Sequence, residues 1–173
     1  MQSPCPCVYR MAEMITIRSA KVSDAAAICM LINYHAERGK MLHRSLEGVY
    51  DALREFLVAE DGEEIVGCVA VDIFWADLAE IKSLAVAAGR LRQGVGSRLV
   101  RAAVANAQEL GIRKLFALTY EKEFFERHGF EVIDRDTLPE KVWRECVSCP
   151  RADACDEIAM MLRLDGQPEG DRT

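Results

Sequence analysis

Residues 79–104, AEIKSLAVAAGRLRQGVGSRLVRAAV, pass from an apolar strand pattern through a Gly/Arg loop into a helix. Gly94 and Gly96 stand where the loop meets the helix. A strand that turns on glycines into a helix commits the chain to an α/β arrangement, with unpaired amides at the start of the helix. Such amides suit a phosphate. Two phosphate-binding folds drop out at once. A dinucleotide fold would carry G-x-G-x-x-G after its first strand, and a P-loop would need Gly-Lys-Ser/Thr where this chain has Gly96-Ser97-Arg98.

The remaining elements alternate around that turn. MITIRSA (14–20) reads as a strand, and Ser23 as the cap of a helix carrying Ala27, Ile28, Leu31, Ile32 and Tyr34 at helical spacing. A second helix is expected from Ser45, with Leu46, Val49, Tyr50, Leu53 and Phe56 in period. Residues 56–75 hold two β-rich runs around Asp61-Gly62, a hairpin signal. Strand 79–87 follows, then a helix from Val95 through Leu99, Ala102, Ala103, Ala107 and Leu110, stopped by Gly111. Strands at 114–120, 131–133 and 157–164 and a short helix at 121–130, closed by Gly129, complete a mixed α/β (α+β) sheet covered by helices. The reading is a single domain over 14–164, with 1–13 an unstructured extension and 165–173 a disordered tail.

Composition narrows the partners. Half the residues are hydrophobic and 29 % charged, which reads as a soluble globular protein large enough for a proper core. No apolar run approaches the ~18–20 residues that span a bilayer, and MQSPCPCVYRMAE lacks a signal peptide's apolar core. No membrane partner and a cytoplasmic location are therefore expected. The net charge of −6 argues against nucleic acid as a partner and requires that any anion be met by local cations or amides.

Seven cysteines are present. Cys29 and Cys68 fall in apolar patterns and read as small buried hydrophobes. Cys146, Cys149 and Cys155 form C-x2-C-x5-C. A structural zinc ordinarily takes four ligands, so no metal is expected and the cluster reads as reduced loop thiols, with a metal clip as the alternative.

The glycine loop resembles the acetyl-CoA-binding motif of the GNAT acetyltransferases, Arg/Gln-x-x-Gly-x-Gly/Ala after a strand ending in L-A-V. Here the strand end is Leu84-Ala85-Val86 and the loop Leu91-Arg92-Gln93-Gly94-Val95-Gly96. The resemblance extends over residues 14–164. It implies a GNAT fold, with a mostly antiparallel central sheet, one splayed parallel strand pair and helices on both faces. It also implies acetyl-CoA as co-substrate, held by Leu84, Ala85, Val86, Arg92, Gln93, Gly94, Val95, Gly96, Ser97 and Phe125, with the backbone of 84–86 pairing with the pantetheine as an added strand. Leu91 departs from the motif, and Arg90 or Arg92 is expected to supply the missing charge. FFERHGF resembles the family's Phe-Tyr-x-x-x-Gly-Phe turn, with Phe125 where a tyrosine acid is common. Either Tyr120 takes that role or the thiolate leaves without an enzymic acid.

An amine must lose a proton to attack a thioester. Glu80, in an AEI segment that resembles the base-bearing strand of histone-type members, is the expected base. Strand alternation places residues 80, 82, 84 and 86 on one face. Arg44-Ser45 in LHRSLEG resembles the Arg-Ser element of N-acetylglutamate synthases, and DLAEIKSLAV at 77–86 their substrate-binding strand; overall the chain is most similar to the short, stand-alone synthases and to the acetyltransferase domain fused to some argininosuccinate lyases. That resemblance implies acceptor binding by Arg44, Ser45, Lys82 and Ser83, with Arg44 and Lys82 on the carboxylates of an acidic amino acid. The expected activity is acetylation of L-glutamate in arginine biosynthesis. The alternatives are a GNAT enzyme for another amine (glutamine, a polyamine, a drug or a protein N-terminus) and an acyl-CoA-binding regulatory module without turnover. A homodimer is among the assemblies this allows.

Overall fold

The computed structural model describes residues 15–143, 147, 149 and 155–164. The expected extension 1–13, the tail 165–173 and Cys146 lie outside the described residues. Among the described residues seven strands, β1 Thr16–Ser19, β2 Phe56–Asp61, β3 Glu64–Ile73, β4 Leu78–Val86, β5 Lys114–Thr119, β6 Glu131–Val132 and β7 Ile158–Arg163, form one sheet. Their order is β1-β2-β3-β4-β5-β7-β6. The helices are α1 Ala25–Ala36, α2 Leu46–Asp51, α3 Val95–Glu109 and α4 Lys122–Glu126.

Every neighbouring pair is antiparallel except β4 and β5. A parallel pair needs a long crossover, and α3 supplies it. The β4–β5 ladder runs from Leu78↔Lys114 to Glu80↔Phe116 and stops there, although β4 continues to Val86 and β5 to Thr119. Beyond Glu80 the two strands part.

A bulge in β4 accompanies the parting. Cys68 pairs with Ala85 and Ala70 with Lys82, so Val69 alone faces both Ser83 and Leu84. Ser83 takes the extra position with a left-handed φ of 54°, as a bulge residue can. The insertion reverses the alternation of side chains along the strand. Glu80 and Lys82 therefore share the face of Asp72, Ala70 and Ala85, while Leu84 and Val86 pack with Ile81 under α3. The expected single face for 80, 82, 84 and 86 is corrected: it divides at Ser83.

The two faces carry separate cores. On one, Val95, Leu99, Val100, Ala103 and Ala107 of α3 meet Val69, Val71, Ala79 and Ile81. On the other, Ile28 and Ile32 of α1 and Val49 of α2 meet Phe56, Val58, Cys68 and Ala70. Each large apolar side chain so buried contributes about 1.5–3 kcal/mol. Gly67 on β3 lets α3 approach closely, since a Cβ there would lie 2.9 Å from Leu99 Cδ1 and 3.2 Å from the Ala85 carbonyl.

Two local expectations shift. Asp24, not Ser23, starts α1: a 3-10 turn covers Val22–Asp24, and the Asp24 carboxylate accepts the Lys21 N–H at 2.7 Å. Phe56 leaves the helical period of α2 and opens β2 opposite Ala70, because burial in the sheet overrides the periodic match.

Candidate active site

The loop after β4 ends on Gly94, which caps α3 with a left-handed φ of 81° that side chains adopt at a cost. Arg92 is also left-handed, at φ 61°. Gln93 Nε2 closes the loop onto the Gly89 carbonyl at 2.9 Å. Gly96 is different. A Cβ built there would meet Phe124 at 3.5 Å and Val86 at 3.7 Å, ordinary contacts. The fold itself does not need glycine at 96, where a side chain would stand beside Phe124 and Val86 in the first turn of α3. The amides of Val95 and its neighbours fit a diphosphate group.

Of the two arginines expected to add charge, Arg90 is turned back onto the buried carboxylate of Asp61 in β2. Arg92 is exposed beside the glycines. Ser97, in the first turn of α3, bonds His128 Nε2 at 3.1 Å, and the His128 ring lies 4.9 Å from that of Phe124. Burial, then the charges of Arg101 and Arg127, hold the His128 pKa below its ordinary value. Phe125 is a core residue against Phe130, at 5.1 Å between ring centres. Phe125, expected at the cofactor, is buried by the phase of α4, and the ring beside Gly96 is that of Phe124, 3.5 Å from where a Cβ there would lie.

The parted strands form the rest of the site. Glu80 is 8 % exposed and stands directly across the ladder from Asp72. Lys82 Nζ lies 2.5 Å from Asp72 Oδ2 and 6.0 Å from the centre of the Phe74 ring. The Arg44 guanidinium lies 5.9 Å from the centre of the Phe56 ring. Phe56 pairs with Ala70, and Ala70 with Lys82, so Arg44 and Lys82 are linked by one row across the sheet. At about 4.8 Å per strand that row separates the backbones of Phe56 and Lys82 by roughly 10 Å. Arg44, Glu80 and Lys82 are thus gathered on the α1–α2 face, and the glycine loop belongs to α3. The bulge joins the two halves.

The other expected residues have local tasks as well. Ser45 Oγ accepts the Gly48 N–H at 3.0 Å and caps α2; a hydroxyl that accepts there can still donate. The Ser83 carbonyl accepts from the Cys68 thiol at 3.5 Å. Burial raises that thiol to about 12, which keeps the proton needed for the bond. Tyr120 is half-buried, one residue past β5. Lys40 reaches Glu121 at 3.4 Å and brings the segment between α1 and α2 beside it.

Three residues join the site that sequence reading did not single out. Asp72 faces Glu80 and pairs with Lys82. His35 on α1 bonds the Val86 carbonyl at 2.7 Å, at the end of β4 where pantetheine pairing is expected. Asn33 contacts the backbone of Arg44. None lies in a local motif. Of the cysteine cluster, Cys155 approaches Arg135 Nη2 at 3.8 Å and Glu157 at 3.7 Å. Among the described residues no group of three His, Cys, Asp or Glu side chains could hold a metal. No helix among them is long and apolar enough to cross a membrane.

The parted parallel strands and the glycine-capped helix beside them agree with the fold that the resemblance implied. Residues 52–132 match the family model described as the acetyltransferase (GNAT) domain. An uncharacterised N-acetyltransferase of Chlorobaculum tepidum is 40 % identical over 86 % of this chain and 96 % of its own. The chain belongs to the GNAT family of acetyltransferases. An amino-acid acetyltransferase of Mycobacterium tuberculosis is 37 % identical, with 75 % of each chain covered. The N-acetylglutamate synthase of Neisseria gonorrhoeae, solved with coenzyme A and N-acetyl-glutamate, superposes with a TM-score of 0.80 at 33 % identity. That match covers 87 % of this chain and 35 % of the longer synthase.

Proposed function

We propose that the protein transfers the acetyl group of acetyl-CoA to the α-amine of an amino acid, with L-glutamate as the acceptor, and that it serves arginine biosynthesis in the cytoplasm. The observation that carries this is the gathering of Arg44, Glu80 and Lys82 on one face beside the parting of β4 and β5. The names of the relatives that act on amino acids support it.

Acetyl-CoA supplies an activated acetyl thioester. The α3 amides and Arg92 hold its diphosphate end, and the edge of β4 beyond the bulge receives the pantetheine. Arg44 engages one acceptor carboxylate through its planar fork. Lys82 faces the second. Glu80 takes the ammonium proton, directly or through water, so that the amine nitrogen can form its bond to the acyl carbon as the carbon–sulfur bond breaks. Tyr120 returns a proton to the departing thiolate.

One observation favours a second acceptor. The 2.5 Å pairing of Lys82 with Asp72 neutralises the cation assigned to the side-chain carboxylate, so a neutral side chain such as that of glutamine would leave the pair undisturbed. Thiol release from acetyl-CoA, measured with each of the twenty amino acids, tests both. Glutamate as the fastest acceptor supports the assignment, and glutamine ahead of it supports the second reading. Release with neither would point to another amine or to a binding module without turnover.

A further inference from the structure

Arg44 lies between α1 and α2, on a segment whose course is set by tertiary contacts rather than by regular structure. Eleven residues earlier, on α1, the Asn33 carboxamide meets both backbone groups of that one residue. Asn33 Nδ2 donates to the Arg44 carbonyl at 2.9 Å, and the Arg44 N–H donates to Asn33 Oδ1 at 3.0 Å. Cys29, one helical turn before Asn33, adds a thiol contact to the same carbonyl at 3.5 Å. A carboxamide presents a donor and an acceptor on one planar end, so it reads Arg44 as a neighbouring strand would. On the C-terminal side, Ser45 is fixed by its cap on α2. The direction of the Arg44 Cα–Cβ bond, and so the point from which its guanidinium reaches over Phe56, follows from these restraints.

We propose that Asn33 is the positioning residue of the acceptor site: its carboxamide clamps the Arg44 backbone and holds the guanidinium where it meets the acceptor carboxylate. This rests on the role of Arg44 proposed above. Both polar atoms of the Asn33 carboxamide are engaged by the Arg44 backbone. Misplacement of a binding group by about 1 Å costs up to roughly a hundredfold in rate, so loss of the clamp shows in handling of the acceptor and not of acetyl-CoA.

A double-mutant cycle on the full chain tests this, using steady-state thiol release with glutamate and acetyl-CoA. Asn33→Ala is expected to raise the KM for glutamate by about tenfold, with the KM for acetyl-CoA within twofold of wild type. In the Arg44→Ala background the same substitution is expected to add less than a further twofold, because the group it positions is gone. Asn33→Asp preserves shape and is expected to behave like Asn33→Ala, since its carboxylate faces the Arg44 carbonyl where a donor stood. A loss at Asn33 that is equal in both backgrounds, or that falls equally on acetyl-CoA, overturns the clamp while leaving Arg44 in its role. Arg44→Ala indistinguishable from wild type overturns the role of Arg44, and the clamp with it.

Discussion

Lys82 Nζ on β4 lies 2.5 Å from Asp72 Oδ2 on β3, with both side chains largely buried. If Lys82 serves the second carboxylate of the acceptor as proposed, Asp72 competes with the substrate for it. Asp72→Asn is expected to lower the KM for glutamate roughly two- to fivefold, the scale of an ion pair worth about 0.5–1 kcal/mol net of its desolvation cost. The KM for glutamine should stay within about twofold. Paired measurements of the two KM values check this, and an equal gain for both acceptors would remove Lys82 from side-chain recognition.

Gly96 separates the needs of the fold from those of the ligand. The space around it accepts a methyl group, so Gly96→Ala should leave the melting temperature of the free protein unchanged or raise it, by up to about 1 kcal/mol of stability. The same variant should blunt the rise in melting temperature on adding acetyl-CoA, which binds the folded chain. Gly96→Asp should abolish it by placing a negative charge before the diphosphate. A full ligand shift in the aspartate variant would put the cofactor elsewhere.

Glu80 is buried across from Asp72. If it takes the amine proton, Glu80→Gln should lower kcat by roughly 10²–10⁴. Raising the pH should restore part of the rate, because more of the amine is then already deprotonated. Acetyl-CoA binding should be near normal. A loss below about threefold would assign the proton to water alone.

Acid stability should depend on a network away from the site. Arg18 bonds Asp24 at 2.7 Å and Glu60 at 2.9 Å. These bonds hold both carboxyls below their ordinary values of 3.8 and 4.5. A carboxyl depressed in the folded state stabilises the fold above its unfolded pKa and loses that contribution as the pH falls through the folded value. The melting-temperature gap between wild type and Arg18→Gln should therefore be full above about pH 5 and shrink toward pH 3. A gap that widens in acid would contradict the pairing.

Much of this molecule was legible in one dimension. The glycines at 94 and 96 announced the loop, Asp61-Gly62 announced the β2–β3 hairpin, and Gly111, left-handed at φ 81°, ended α3 where expected. What stayed hidden depends on partners distant in sequence. The bulge at Ser83 exists only relative to Val69 on another strand, so alternation along β4 alone gave the wrong face for Leu84 and Val86. Phe124 and Phe125 differ only by the phase of a short helix against the sheet. Asn33 finds Arg44, and His35 finds Val86, through tertiary approach that leaves no periodic mark.

The substrate assignment turns on Arg44, and the most direct measurement is kcat/KM for glutamate at subsaturating concentration in wild type and Arg44→Ala. Loss of a charged hydrogen bond to a carboxylate costs on the order of 1.5–3 kcal/mol, so a fall of roughly ten- to a hundredfold is expected. Arg44→Lys should also fall, because a point charge does not reproduce the guanidinium fork. Equal activity of wild type and Arg44→Ala on glutamate would contradict the acidic-amino-acid assignment and transfer it to another amine.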